Sequence, residues 1–175
     1  MTKAESTREE WKSLIASAPS RRSPPGVSPV ETIRSMSGLD FLRSIADGTL
    51  PHPPIADALS FFLTEVSKGH AVFMGEPKHE FYNPIGSVHG GWASTLLDSC
   101  MACAVQSTLP AGQGYTTLEL KVNLVRAISS ETGPVRAEGR VVSAGRTIGT
   151  AEGRIVGADG KLYAHGTTTC LIMGL

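Results

Sequence analysis

One stretch of this 175-residue chain constrains everything around it. Over residues 91–108 the periodicity is helical. Trp92, Ala93, Leu96, Leu97, Cys100, Met101, Ala102, Cys103, Ala104 and Val105 cover nearly the whole circumference. A helix that is apolar on every side has to be buried. No apolar run reaches the roughly 18 residues that a membrane span requires, so the rest of the chain must surround this helix. The flanking sequence supplies strands for that purpose. Residues 58–67 and 70–75 alternate with period two and turn at Lys68-Gly69, which reads as a hairpin. Beyond position 114, Leu118, Leu120, Val122 and Leu124 alternate with Glu119, Lys121 and Asn123, which predicts a half-buried strand with the four apolar side chains inward. Val135, Ala137, Gly139 and Val141 alternate with Arg136, Glu138 and Arg140. A turn at Gly145-Arg146 then leads into 147–156, and Ala158-Asp159-Gly160 into 161–173. Two strands, one central helix and four hairpin-linked strands predict an α+β fold, a long helix held in a curved antiparallel sheet.

Residues 1–35 read differently, as an N-terminal extension or linker ahead of a domain at 36–175. Trp11, Leu14, Ile15 and Ala18 fall at helical spacing, and Pro19-Ser20-Arg21-Arg22-Ser23-Pro24-Pro25-Gly26 then reads as a solvated linker or a docking arm. Ser37 is placed to cap a helix, with Asp40 reaching back to it. Leu39, Leu42, Ile45 and Ala46 form the stripe of that helix and Gly48 its end. Pro51-His52-Pro53-Pro54 forces an extended entry to the first strand. The balance of 16 basic and 16 acidic residues leaves no global field, so neither nucleic acid nor an anionic membrane is a default partner. The polar first residues do not resemble a secretory signal. Three cysteines argue against a disulfide framework and for a reducing, cytoplasmic location.

The chemistry concentrates around the helix. Asp98 stands among Leu96, Leu97, Cys100 and Met101, and burying an unpaired carboxylate is costly or raises its pKa. Asp98 is therefore either a structural residue, capping a loop or facing a subunit boundary, or a poised base or nucleophile. Where the helix begins, His89-Gly90-Gly91 offers free N–H groups to developing negative charge, and the glycines admit a substrate close to the backbone. Asn83, in Asn83-Pro84-Ile85-Gly86-Ser87, can donate or accept a hydrogen bond from a rigid loop, or simply form a turn. Gly90 and Asp98 are eight residues apart, roughly 12 Å along a helix axis. If both act on one carbonyl, the aspartate comes from a second subunit with the two helices antiparallel, which predicts an obligate dimer with shared sites. Cys100 and Cys103 sit mid-helix, away from dipole activation, and read as small buried hydrophobes. His79-Glu80 lacks a histidine four residues on, and His52, His70 and His165 show no metal-ligand spacing.

Taken in order, Asn83-Pro-Ile-Gly-Ser-Val-His89-Gly90-Gly91, Leu96-Leu97-Asp98 and Thr116-Thr117-Leu-Glu-Leu-Lys-Val-Asn resemble the hotdog-fold acyl-CoA thioesterases of the phenylacetic-acid-degradation (PaaI-like) type. The resemblance covers about residues 55–173. It implies a long helix wrapped by an antiparallel sheet, a homodimer joined edge to edge that can pair into a homotetramer, and hydrolysis of a coenzyme A thioester without metal or redox cofactor. Coenzyme A is then part of the acyl-CoA substrate. By position, Gly90 would give the oxyanion N–H, with His89 and Gly91 beside it, and Asn83 would orient substrate or water. Asp98 of the other subunit would be general base or nucleophile. Thr117 would supply a further hydroxyl, with Thr116 as the substitute because Leu118 holds the inward parity. Arg126 and Arg146 are candidates for the coenzyme A phosphates, or ordinary surface arginines. Trp92, Leu96 and Met101 line the acyl pocket or belong to the core. Two rivals share the fold: an acyl-CoA-binding or sensing protein without turnover, and a hydratase in which His89 works with Asp98.

Overall fold

The computed structural model describes residues 1–175 apart from the side chains of Arg21 and Arg22, so the paired arginines of the extension lie outside the described residues. Six strands form one antiparallel sheet: β1 (Phe61–Ser67), β2 (His70–Gly75), β3 (Gln113–Leu124), β4 (Val135–Ala144), β5 (Ile148–Gly157) and β6 (Leu162–Gly174). Their spatial order is β1-β2-β4-β5-β6-β3. The β1–β2 hairpin closes between Ser67 and His70, with Gly69 at φ +76° supplying the left-handed turn residue. After β2 the chain crosses the sheet in a long helix, Gly90–Gln106, and returns as β3 on the opposite edge. Four shorter helices precede the sheet: α1 (Lys3–Ser17), α2 (Val30–Ser35), α3 (Gly38–Ala46) and α4 (Pro54–Ala58). The long helix is α5. Ser37 caps α3 as its sequence predicts, accepting from the Asp40 N–H and donating to the Asp40 carboxylate at 2.6 Å. Between the extended entry expected at 51–54 and the strand expected from Ala58, residues 54–58 make the single turn of α4, and β1 begins only at Phe61.

The sheet wraps α5. Leu96, Leu97, Cys100, Met101, Ala104 and Val105 are wholly buried against Phe73, Ala137, Ala151, Ile155 and Ala164. Trp92 joins this core and donates its indole N–H to the Leu59 carbonyl at 2.8 Å. The aromatic and sulfur side chains considered for an acyl pocket, Trp92 and Met101, are thus core, as is Leu96. What lets the helix lie so close is a track of glycines beneath it. A Cβ at Gly139 would collide with the Cys100 carbonyl, one at Gly153 would lie 2.7 Å from the Met101 side chain, and one at Gly149 would lie 2.6 Å from Val105.

Three features depart from the sequence reading. First, α5 is not apolar all round. Gly91, Ser94, Thr95, Asp98 and Ser99 recur at three- and four-residue spacing along one incompletely buried stripe. Asp98 is accordingly half-buried and not sealed in apolar surroundings. Second, the register of β3 against β6 slips between Thr117 and Glu119, so Leu118 bulges out and is 58% exposed. A bulge reverses the alternation: Tyr115 and Thr117 face α5 before it, Leu120 and Val122 after it. Third, the stretch read as a solvated linker is packed. Ala18 and Ser20 are buried, and Trp11 and Ile15 of α1 lie on Phe62 and Met74, forming a second small core on the outer face of the sheet. Composition alone hides this, because the outward apolar residues of β1 and β2 that receive α1 look like part of a half-buried hairpin.

Candidate functional site

The start of α5 is held by its own preceding loop. His89 is the N-cap residue, and its Nδ1 accepts the Gly91 N–H at 2.9 Å. The Gly90 N–H has no acceptor among the described residues. It therefore stands unpaired at the positive end of the helix dipole, where an anion or a polarised carbonyl is favoured. A Cβ on Gly90 would lie 2.7 Å from Leu124 Cδ1, so a side chain there would drive Leu124 across the opening. The loop itself is fastened at both ends. The His89 N–H donates to the Phe81 carbonyl at 2.7 Å and the Val88 N–H to the Ile128 carbonyl at 2.9 Å, while the Phe81 ring stacks on Trp92.

Asn83 organises this loop. Its Oδ1 accepts from the Ile85 N–H at 3.1 Å and the Ser87 N–H at 3.2 Å, and its Nδ2 donates to Ser87 Oγ at 3.0 Å. The carboxamide oxygen is thus committed to the turn, and one amide hydrogen is left to meet a ligand. Asn83, Ser87, His89, Gly90, Leu124 and Arg126 border one cleft of about 210 Å³. Arg126 is exposed beside it, with its backbone N–H tied to the Tyr163 carbonyl at 3.1 Å.

Asp98 lies elsewhere in the chain. Eight residues farther along α5, about 12 Å by helical rise, its Oδ1 accepts the Thr117 hydroxyl at 3.0 Å. Thr117 and not Thr116 meets the carboxylate because the bulge at Leu118 reverses the strand; Thr116 is exposed. Around this pair stand Cys103, Tyr115 and Cys170. Burial pushes the Cys103 thiol up to about 12 and the Tyr115 phenol well above its ordinary value, with the Asp98 charge adding to both. Cys100 is likewise raised by burial. These thiols are protonated and unreactive, in keeping with their reading as hydrophobes.

The structure thus sorts the candidate residues into two groups in one chain. Asn83, His89, Gly90 and Arg126 gather at the cleft, with Gly91 capped by His89. Asp98 and Thr117 form a separate pair. Arg146 joins neither and is exposed just beyond β4. His89 and Asp98 do not meet within one chain. Sequence reasoning missed Leu124, which lines the cleft despite its place in the alternating strand, and the Tyr115–Cys103 contact beside Asp98. The signal for the latter was the inward parity of position 115, concealed by the bulge.

A larger concavity of about 550 Å³ lies on the outer face of the sheet. At its centre is Glu138, 9% exposed, which accepts from His70 Nε2 at 2.8 Å, Arg140 at 2.6 Å and Arg154 at 3.1 Å. Burial alone would raise this carboxyl, but the three donors outweigh it and hold it down at about 2. The charges satisfy one another, which is the behaviour of a structural network. Among the described residues no group of three or more histidine, cysteine or acidic side chains is placed to hold a metal ion, and no helix is long and apolar enough to cross a membrane.

Residues 85–164, which include the His89-Gly90-Gly91 turn, α5 and strands β3 to β5, match the thioesterase superfamily. Two archaeal relatives carry the name of candidate esterases. That of Halobacterium salinarum is 38% identical over 41% of this chain and 46% of its own length. That of Saccharolobus solfataricus is 33% identical over 57% of this chain and 69% of its own length. The chain therefore spans about half of the first relative and about two thirds of the second. Among solved structures, a phenylacetic-acid-degradation-related protein from Ralstonia eutropha superposes with a TM-score of 0.67 at 29% identity, covering 77% of this chain and 98% of that one. A Streptococcus mutans protein solved with acetyl-CoA bound gives a TM-score of 0.60 at 26% identity, over 66% of this chain and 90% of that one.

Proposed function

We propose that this chain, which belongs to the thioesterase superfamily, hydrolyses the thioester of an acyl-coenzyme A to a free acid and coenzyme A, at sites shared between two copies of itself. The observation that carries the reading is the division of one polar set into two groups on a single helix. An unpaired N–H at Gly90 and a threonine-bonded carboxylate at Asp98 are separated by about 12 Å in one chain, and the acetyl-CoA-bound neighbour supports the ligand class. Two α5 helices packed antiparallel along the stripe of Gly91, Ser94, Thr95 and Asp98 would set Gly90 of one copy against the partner's Asp98. Small side chains on that stripe permit a close approach. The adjoining edge strand β3 exposes Leu118 and Leu124, and Val125 just past its end is exposed as well, apolar area that pairing with a second β3 would cover.

In that dimer the Gly90 N–H and the helix dipole stabilise the oxygen of the tetrahedral intermediate. The free amide hydrogen of Asn83 orients the thioester or the water. By the base route, Asp98 takes a proton from water as its oxygen adds to the carbonyl carbon. The C–S bond then breaks, and the coenzyme A thiolate leaves and is protonated. By the nucleophile route, an Asp98 oxygen forms the new C–O bond, the thiolate leaves, and water hydrolyses the resulting anhydride. Thr117 holds the carboxylate in either case, and Arg126 at the cleft rim is placed for the phosphates of coenzyme A. A single turnover in ¹⁸O-water identifies the nucleophile route when water attacks the aspartyl carbonyl of the anhydride, since label then enters the Asp98 carboxylate, whereas the base route puts it only in the product acid.

The reading is tested by thiol release from a panel of acyl-CoAs, and by subunit mixing. Asp98→Asn and Gly90→Pro proteins should each be inactive, and mixing them should restore about a quarter of wild-type activity, from one competent site in each heterodimer. No recovery on mixing would refute the shared site. Saturable binding of acyl-CoAs with no turnover would replace hydrolysis by sensing.

A further inference from the structure

Beyond the Thr117–Asp98 contact, α5 and β3 bring a second pair of side chains together that the reaction itself does not require. Tyr115 and Thr117 share one face of β3, two residues apart, which places Tyr115 about 7 Å beyond the hydroxyl that binds Asp98. On the helix side, Cys103 lies five residues past Asp98, about 7.5 Å along the axis. The strand wall and the helix wall therefore end at the same height. There they come together, with the Tyr115 hydroxyl and the Cys103 thiol close enough for each to influence the other's protonation. Both side chains pack against the main core, yet neither is fully buried in the single chain. Cys103 continues the partly exposed stripe of α5 that carries Asp98.

We propose that Tyr115, backed by Cys103, is the floor of the acyl pocket and sets the longest acyl group the enzyme accepts. The inference rests on the thioesterase reading and its shared site. Arg126 and Leu124 border the open mouth of the cleft in one protomer, so coenzyme A occupies that side. The acyl group then extends the other way from the reacting carbonyl, past the partner's Asp98, until it meets the tyrosine ring. A depth of about 7 Å holds roughly five or six carbons of extended chain or one aromatic ring. A longer chain would have to displace a ring that is packed against the core beside Cys103.

The test compares kcat/KM for butyryl-, hexanoyl-, octanoyl-, decanoyl- and dodecanoyl-CoA. The wild type should fall at least about tenfold between hexanoyl- and decanoyl-CoA, since each methylene that does not fit an apolar pocket costs on that scale. Tyr115→Ala should raise the decanoyl-to-hexanoyl ratio at least about tenfold and move the fall three or four carbons outward, whereas Tyr115→Phe, which keeps the ring, should leave its position unchanged. Cys103→Leu tests the opposite direction by narrowing the same space, and it serves alone if Tyr115→Ala does not fold. It should depress hexanoyl-CoA more than butyryl-CoA. Identical chain-length profiles in an active wild type and its variants would overturn the role of Tyr115 while leaving hydrolysis standing. No turnover of any acyl-CoA by the wild type would instead overturn the thioesterase reading beneath it.

Discussion

The two edges of the sheet have been treated in opposite ways. At β1, Phe61, Phe62 and Leu63 are buried, because α3, α4 and the turn after α1 close over the first half of the strand. The chain covers its own edge there, and a second copy finds little to add to. At β3, Leu118 and Leu124, with Val125 just past the end of the strand, are more than half exposed; α5 covers the inner face of this strand, but among the described residues no strand pairs with its outer edge. An uncovered apolar edge is a standing invitation to another strand. The half-site of Asp98 and Thr117 belongs to the open side, since Thr117 is on β3 itself. The contrast teaches that the two edges differ in how the chain finishes them: the extension closes one, and the other stays open beside Asp98 and Thr117, where the proposed assembly and chemistry would take place.

The sharpest way to probe the open side is Asp98→Asn. It should leave folding and association intact and lower kcat by about 10²- to 10⁴-fold, the range for loss of a general base, as read by steady-state thiol release. Next, if the proposed dimer forms through this edge, Leu118→Asp combined with Val125→Asp should convert it to monomers in sedimentation, with activity falling at least about tenfold as charge is placed on the exposed apolar edge. A monomer with full activity would break the comparison. Phe61→Ala on the closed edge should do the reverse. Phe61 is 1% exposed and packs edge-on to Phe73 at 5.9 Å, so its loss should cost about 3–5 kcal/mol in urea unfolding without changing the oligomeric state.

The middle of the sheet makes a smaller prediction through pH. Glu138 is held at about 2 against an ordinary 4.5. A carboxyl depressed on folding contributes stability that is complete above its unfolded value and lost as pH falls toward its folded one. That contribution is at most about 3 kcal/mol. Glu138→Gln should therefore lower stability at pH 7 and flatten the loss between pH 5 and 2 in acid unfolding curves. Smallest of all, Thr116→Ala should change kcat less than about twofold, while Thr117→Ala lowers it about tenfold through misplacement of the carboxylate.

Much of this was legible in the sequence, and what was not has identifiable causes. The apolar decade from Trp92 to Val105 forces a wrapped helix, and the turns at Gly69, Gly145 and Gly160 separate the strands that wrap it. Asp98 announced itself by standing alone. Its actual neighbours, however, depended on a one-residue slip at Leu118, and nothing in a run of alternating leucines and charges marks where a bulge will fall. The same slip hid Tyr115 and kept Thr116 as a substitute for Thr117, because Leu118 held the inward parity on paper. Residues 1–35 defeated composition for a different reason: Trp11 and Ile15 find partners in Phe62 and Met74, which lie some fifty residues away. The ion-pair cluster at Glu138 looked like an ordinary solvated face because Arg136, Glu138 and Arg140 alternate as any exposed strand does.

The glycines beneath α5 act as a reference surface from which the depth of the helix is measured. Asp98 rides on that helix, so its position is fixed in part by Gly139, Gly149 and Gly153, residues with no side chain of their own. In a two-fold dimer each helix is displaced relative to the other whenever either one moves, so a single substitution acts twice across the same gap. In the proposed dimer a methyl group added at position 139 would shift α5 in both copies at once, so the misfit between facing half-sites would combine two displacements where a single chain shows one.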